Sequence, residues 1–157
     1  MGFGQGDQKH LERHGIDSSV PVPYLDREHP DNHRAQWLTE IEHAVNPTVI
    51  HETYHALVFK HKANPRQVQK VLLAYTGSTL FLPQTLQTTE LGLRVAVAHQ
   101  IGGRDSLIIA NYLSSSEAST VLTLDEDLLR IGQVKSGRRT VRIQKPGNPL
   151  SKFQTPL

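Results

Sequence analysis

The run Thr120-Val121-Leu122-Thr123-Leu124 constrains the fold more than any other stretch of this chain. These five residues, followed by the acidic Asp125-Glu126-Asp127, read as the clearest strand in the chain. Around it the chain alternates between short apolar runs and amphipathic stretches. Asn46-Pro47 and Asn64-Pro65 each read as an N-cap followed by proline at the first helical position. The first predicts a helix to about His61. The second predicts one carrying Val68, Val71, Leu72 and Tyr75 at helical spacing, closed near Gly77. An earlier helix is predicted over roughly 30–44, with Trp37, Leu38, Ile41 and Val45 as its stripe. Thr79–Pro83 reads as a short buried strand, 84–100 as a long helix, and Asp105 opens another. Thr140–Ile143 reads as a last strand near an edge. Strands that alternate with helices point to an α/β fold with a mostly parallel sheet and helices on both faces.

At 157 residues the chain is sized for one domain. Residues 1–13 read as a flexible N-terminal segment, 14–145 as the domain and 146–157 as a tail. Gly2, Gly4 and Gly6 follow no strand and open no helix, so they do not read as a phosphate-cradling loop. No apolar run reaches the roughly 18 residues of a membrane span, and MGFGQGDQKH lacks an apolar signal core. There is no cysteine, which excludes disulfides and thiolate metal sites and fits a reducing cytoplasm. The net charge is only +2, yet no acid follows Asp127, and Arg138, Arg139 and Arg142 sit in a basic stretch suited to a polyanion such as RNA. A solvated basic strand is the plainer reading of the same residues.

Four acids fall where such folds gather reactive groups: Asp17, Glu52, Asp105 and Asp125, each near a strand end or helix start. In parallel sheets, sites form at the carboxyl ends of strands. If the four meet, their repulsion calls for a hard divalent cation, Mg2+ or Mn2+, and for phosphate chemistry. Ser18, Ser19, Ser106 and Thr123 lie beside them and can orient them. Each acid also has an ordinary explanation. Asp105 suits a helix dipole, Asp125 suits the cap of the helix at 126–131, Asp17 suits a turn, and Glu52 suits solvent.

With these residues in view, the chain resembles the PIN-domain family, closest to the VapC-like toxin ribonucleases. The matching segments are Ile16-Asp17-Ser18-Ser19-Val20, Pro47–Glu52 with Tyr54-His55, Arg104–Ala110, and Val121–Leu128. The resemblance implies a three-layer α/β/α fold with a five-stranded, mostly parallel sheet. It implies an Mg2+- or Mn2+-dependent endoribonuclease acting on RNA, a homodimer, and a cognate antitoxin. It implies that Asp17, Glu52, Asp105 and Asp125 form the acidic cluster. Asp17, Asp105 and Asp125 would be metal ligands, with Thr123 and Asp127 behind them. Two departures stand out. His10–Ile16 is a poor central strand, and Pro21 with Pro23 falls where the family enters a helix. These motivate a second reading, an inactive PIN-like module that binds RNA or protein.

His51-Glu52-Thr53-Tyr54-His55 also matches H-E-x-x-H, a zinc peptidase signature. His51 and His55 differ by about 40° around a helix and can share an ion. His61 occupies the place of a third ligand, but Val58 stands where the longer motif needs glycine, and no methionine follows Met1. The expected role of these histidines is therefore a helix surface or a dimer contact.

Overall fold

The computed structural model describes residues 13–147. Residues 1–12 of the expected N-terminal segment and residues 148–157 of the expected tail lie outside the described residues, and the glycines at 2, 4 and 6 with them. Six strands form one sheet: β1 (His14–Ile16), β2 (His43–Val45), β3 (Leu80–Phe81), β4 (Thr120–Leu122), β5 (Gln133–Ser136) and β6 (Arg139–Gln144). Their order is β3-β2-β1-β4-β6-β5. The first five in that order pair parallel, and β5 adds an antiparallel edge to β6. The sheet thus holds the five parallel strands expected, plus one hairpin strand that was not. Consequently β6 sits one place in from the edge. The turn between β5 and β6 places Gly137 at φ +59°, where glycine carries no Cβ penalty.

From β1 the chain steps one way to β2 and β3. The later strands β4 and β6 extend the other side of β1. The reversal of direction lies between β1 and β4, the crevice where open parallel sheets form their sites. Asp17 follows β1 directly and Thr123 follows β4.

The unpromising first strand is nonetheless central and buried, because tertiary contacts compensate for its poor propensity. His14 is 7% exposed. Its Nδ1 is hydrogen-bonded to the Thr120 hydroxyl on the neighbouring strand, and its ring lies 5.4 Å from that of Trp37. Gly15 is required by packing: a Cβ there would stand 2.4 Å from Cγ of Tyr112. Tyr112 is fully buried beneath the strand. Its hydroxyl donates to the Ile16 carbonyl at 2.6 Å and lies 3.1 Å from the Ala44 carbonyl. Burial drives that hydroxyl's pKa well above its ordinary value, so it remains a donor.

Among the described residues, seven α-helices surround the sheet. The proline pair forms a helix rather than preventing one: α1 (Pro21–Leu25) has Pro21 at its first position. Pro23 also lies in the first turn, where amides have no partner inside the helix. The predicted helix over 30–44 is corrected. It divides into α2 (Asn32–Ala35), a 3-10 turn (Gln36–Glu40) and strand β2. Leu38 and Val45 are both buried as expected, but from different elements. Three strand residues are too few to show an alternation that could override helical spacing.

The helix opened by Pro47 is α3 (Pro47–His55), which continues as a π-helical turn over Ala56–Lys60. The Asn46 side chain caps it, accepting from the Val49 amide at 3.0 Å. Asn64 caps α4 (Pro65–Ser78) in the same way. Gly77 lies inside the last turn rather than beyond it. Thr85 and Thr88 form a reciprocal cap at the start of α5 (Leu86–His99). Helix α5 crosses close to α6 (Gly103–Ser114) where Gly92 meets the Leu107 backbone. Helix α7 (Glu126–Ile131) follows β4. Ile16, Val45, Val49, Ile108, Ile109, Tyr112, Val121 and Leu122 form the centre of the core. They fix the strand ends from which the site projects.

Candidate active site

Asp17 leaves β1 at the switch point and is 2% exposed. Its amide donates to the Leu122 carbonyl at 2.9 Å, locking the turn to β4. Two hydroxyls donate to its Oδ2, from Thr123 at 2.8 Å and from Ser19 at 2.8 Å. Both hydroxyls are held in turn: Ser19 Oγ accepts the Leu124 amide at 2.9 Å and Thr123 Oγ1 accepts the Asp125 amide at 3.0 Å. One carboxylate oxygen is therefore fully engaged. The other, Oδ1, is buried without a hydrogen-bond partner among the described residues. A buried acceptor left open costs about 1–3 kcal/mol, more if charged. Such a cost points to a ligand.

Glu52 approaches from α3. Ser18 donates to its Oε2 at 3.4 Å, and its Oε1 is likewise buried and unpartnered. Burial raises its pKa, Arg104 opposes the rise, and Asp17 adds to it. Asp105 lies in the first turn of α6, where the dipole favours an anion. Its pKa is nonetheless pushed up to about 6, first by burial, then by repulsion from Asp17, Asp125 and Glu52, against the pull of Arg104. The four distant acids therefore sense one another. Asp125 also caps α7, its Oδ1 accepting the Asp127 amide at 2.8 Å and the Leu128 amide at 3.3 Å. Its ordinary explanation and its place in the cluster coexist.

All four line one open cleft of about 580 Å³. Lys60, Arg104, His29, His55 and His61 share its walls; the sequence offered His55 and His61 only as zinc ligands, and Lys60, Arg104 and His29 in no site reading. Signals for two of them were present. Arg104 precedes Asp105, and Lys60 follows Glu52 on the same continuing helix, eight residues on and about 80° around at α-helical spacing. Thr123 lies outside the cleft lining and reaches it through its hydrogen bond to Asp17.

Asp127 does not join the cleft: its side chain is 83% exposed and pairs with Arg130 at 3.2 Å. The expected basic grip is also displaced. Arg138 lies in the β5–β6 turn, at the start of β6. The carboxyl end of β6, which pairs beside the site, is about 16 Å further along the strand. Arg139 bonds the Ser114 carbonyl at the far end of α6 from Asp105, and Arg142 pairs with Thr120 at the entrance of β4. Arg138 and Arg139 belong to the opposite end of the sheet, whereas Arg142 stands two residues, about 7 Å, before the carboxyl end of β6.

The zinc reading fails on geometry. His51 is exposed, the His55 ring lies 5.0 Å from that of Phe59, and His61 pairs with Asp26 at 3.6 Å. Among the described residues, no three His, Cys, Asp or Glu side chains form a ready ligand set for a metal.

The donor set still suits a hard cation. It is all oxygen, it carries more acid than the two cations offset, and two of its oxygens are buried and unpaired. Magnesium commonly takes one or two carboxylates and keeps waters for the rest, so a complete protein cage is not required.

Carboxylates from four separate segments, held at the switch point of a parallel sheet, define an acidic-cleft α/β domain. The PIN-domain profile matches residues 16–134, and the chain belongs to the PIN-domain family. Among solved structures it is similar to VapC20 of Mycobacterium tuberculosis, described as a sarcin-ricin-loop-cleaving toxin. That likeness has a TM-score of 0.65 at 15% identity, over 78% of this chain and 98% of that one. VapBC2 of Rickettsia felis, bound to a promoter DNA fragment, gives 0.57 at 14%, over 75% and 92%. PAE2754 of Pyrobaculum aerophilum gives 0.54 at 21%, over 85% and 84%. These likenesses concern the fold. A search of curated protein sequences returns no match. No helix among the described residues is long and apolar enough to cross a membrane.

Proposed function

We propose that the protein is an Mg2+- or Mn2+-dependent endoribonuclease of the cytoplasm, the toxin of a toxin–antitoxin pair. The observation that carries this is the convergence of Asp17, Glu52, Asp105 and Asp125 on one cleft, with unpaired buried oxygens on Asp17 and Glu52. Asp17 and Asp105 would hold the cation, with Asp125 beside them. When bound, the ion supplies Lewis-acid polarisation of the phosphodiester. Thr123 and Ser19 keep Asp17 in one rotamer, so its open oxygen is already aimed. Glu52, more basic than an ordinary carboxylate, accepts the proton of an attacking water. Arg104 and Lys60 steady the RNA phosphates. Arg138 and Arg139 are too far along the sheet for that task.

The partners follow the same reading. A cognate antitoxin is supported by the toxin–antitoxin character of similar folds. A homodimer is supported by Leu86, Leu93 and Val97, which stand exposed along one face of α5. The inactive-module reading loses its motive, since the first strand is regular and the prolines open a helix.

The test is cleavage of single-stranded RNA with manganese or magnesium. EDTA should stop it, and Asp17→Asn and Asp105→Asn should each lower the rate at least a hundredfold. Intact RNA across several substrates with manganese present overturns the proposal.

A further inference from the structure

We infer that His55 and Phe59 form a stacking platform for an unpaired RNA base beside the scissile phosphate. The inference rests on the nuclease reading and adds the substrate form that the cleft selects.

Three observations carry it. First, Phe59 is 57% exposed, although a phenylalanine ring has no polar atom to repay its contact with water. Second, the rings of His55 and Phe59 lie 5.0 Å apart at 38°, so the exposed phenylalanine ring is held against a second aromatic ring rather than standing alone. Third, that pair adjoins the cleft. His55 lines it, and so does Lys60, the residue after Phe59. The π-helical turn over 56–60 carries both Phe59 and Lys60. Such turns occur frequently at functional sites.

The chemistry fits one occupant. A strand whose phosphate rests near Arg104 and Lys60 projects its bases sideways, and a base with a free face can stack on these rings. Stacking of this kind tolerates any base but requires it to be unstacked from a neighbour. A duplex meets the same cations but offers no free face. The platform therefore discriminates by strandedness, and the carboxylates act on whatever is seated.

The decisive measurement uses the full chain carrying Asp105→Asn, which should bind RNA without cutting it. The probes are a single-stranded RNA with one 2-aminopurine and the same strand in a duplex. Stacking should quench the single-strand fluorescence on binding. Adding Phe59→Leu should abolish the quench and weaken single-strand binding about tenfold, leaving duplex binding unchanged. Phe59→Trp should retain both, and His55→Ala should give a partial loss. Unaltered affinity and quench in Phe59→Leu overturn the platform while leaving the nuclease reading intact. Equal losses for single strand and duplex also overturn it. So does Phe59→Leu that binds RNA normally but no longer binds a protein partner, because the ring then serves a protein interface. If the unsubstituted chain neither binds nor cuts RNA, the nuclease reading fails and the platform with it.

Discussion

Replacing Asp105 by asparagine should stabilise the cation-free protein while abolishing activity. The carboxyl is pushed from an ordinary 3.8 up to about 6 by burial and by three neighbouring carboxylates. That shift corresponds to about 3 kcal/mol if taken at face value, at roughly 1.4 kcal/mol per unit. Asp105 is only half-buried, so water screens much of this, and about 1 kcal/mol is a fairer figure. The favourable helix-start position works the other way, at about 0.5 kcal/mol for a charge near the surface. Repulsion and desolvation therefore win by a small margin.

The folded protein holds this proton more tightly than the unfolded chain does. Its stability should accordingly fall as pH climbs from about 4 to about 6, and the asparagine variant should lose that part of the slope. At pH 7 in EDTA, Asp105→Asn should melt roughly 1–2 °C above the parent, given a net of about 0.5 kcal/mol and about 2–4 °C per kcal/mol at this chain length. Adding manganese should reverse the order, because only the parent then gains the full binding contribution. Thermal and urea unfolding between pH 4 and pH 8, with and without manganese, read all of this. A variant less stable than the parent in EDTA at pH 7, with an unchanged pH slope, would refute the claim that these acids repel one another across the cleft.

Further outcomes follow from individual contacts. Gly15→Val should cost at least about 3 kcal/mol in urea unfolding, since its side chain would occupy the space of the Tyr112 ring. Thr123→Val removes one of two hydroxyls on Asp17 Oδ2; stability should drop by about 1 kcal/mol, while the RNA cleavage rate drops more than tenfold. Replacing Lys60 and Arg104 together by alanine should lower the salt dependence of RNA affinity by about two phosphate contacts. Replacing Arg138 and Arg139 should leave affinity within about twofold, as judged by the same salt titration.

The parts of this molecule that are legible in its sequence are those set by neighbouring residues. Asn46-Pro47, Asn64-Pro65 and Asp125 announce their helices, because a cap needs only an oxygen two or three residues from the amides it receives. Thr120–Leu124 announces β4 through composition alone. The elements that escape are set by residues far away. His14-Gly15-Ile16 is a strand because Tyr112 lies beneath it and Thr120 satisfies His14. His43-Ala44-Val45 is a strand because β1 and β3 flank it. No local period distinguishes such a segment from a helix.

The same division explains the site. Asp17 follows a strand, Asp105 lies in the first turn of a helix and Asp125 caps one, so these three are recognisable one by one, whereas Glu52 sits midway along α3. Their convergence depends on the strand order β2-β1-β4, which no single segment encodes. The basic partners are misjudged for the complementary reason. Arg138, Arg139 and Arg142 cluster in sequence, but a β-hairpin carries the first two to the far end of the sheet. Lys60 and Arg104 are isolated in sequence and meet only in the cleft. Charge density along a chain therefore says little about where a phosphate is held. The end of the strand that each charge occupies says much more, and here it separates the residues at the acids from those some 16 Å behind them.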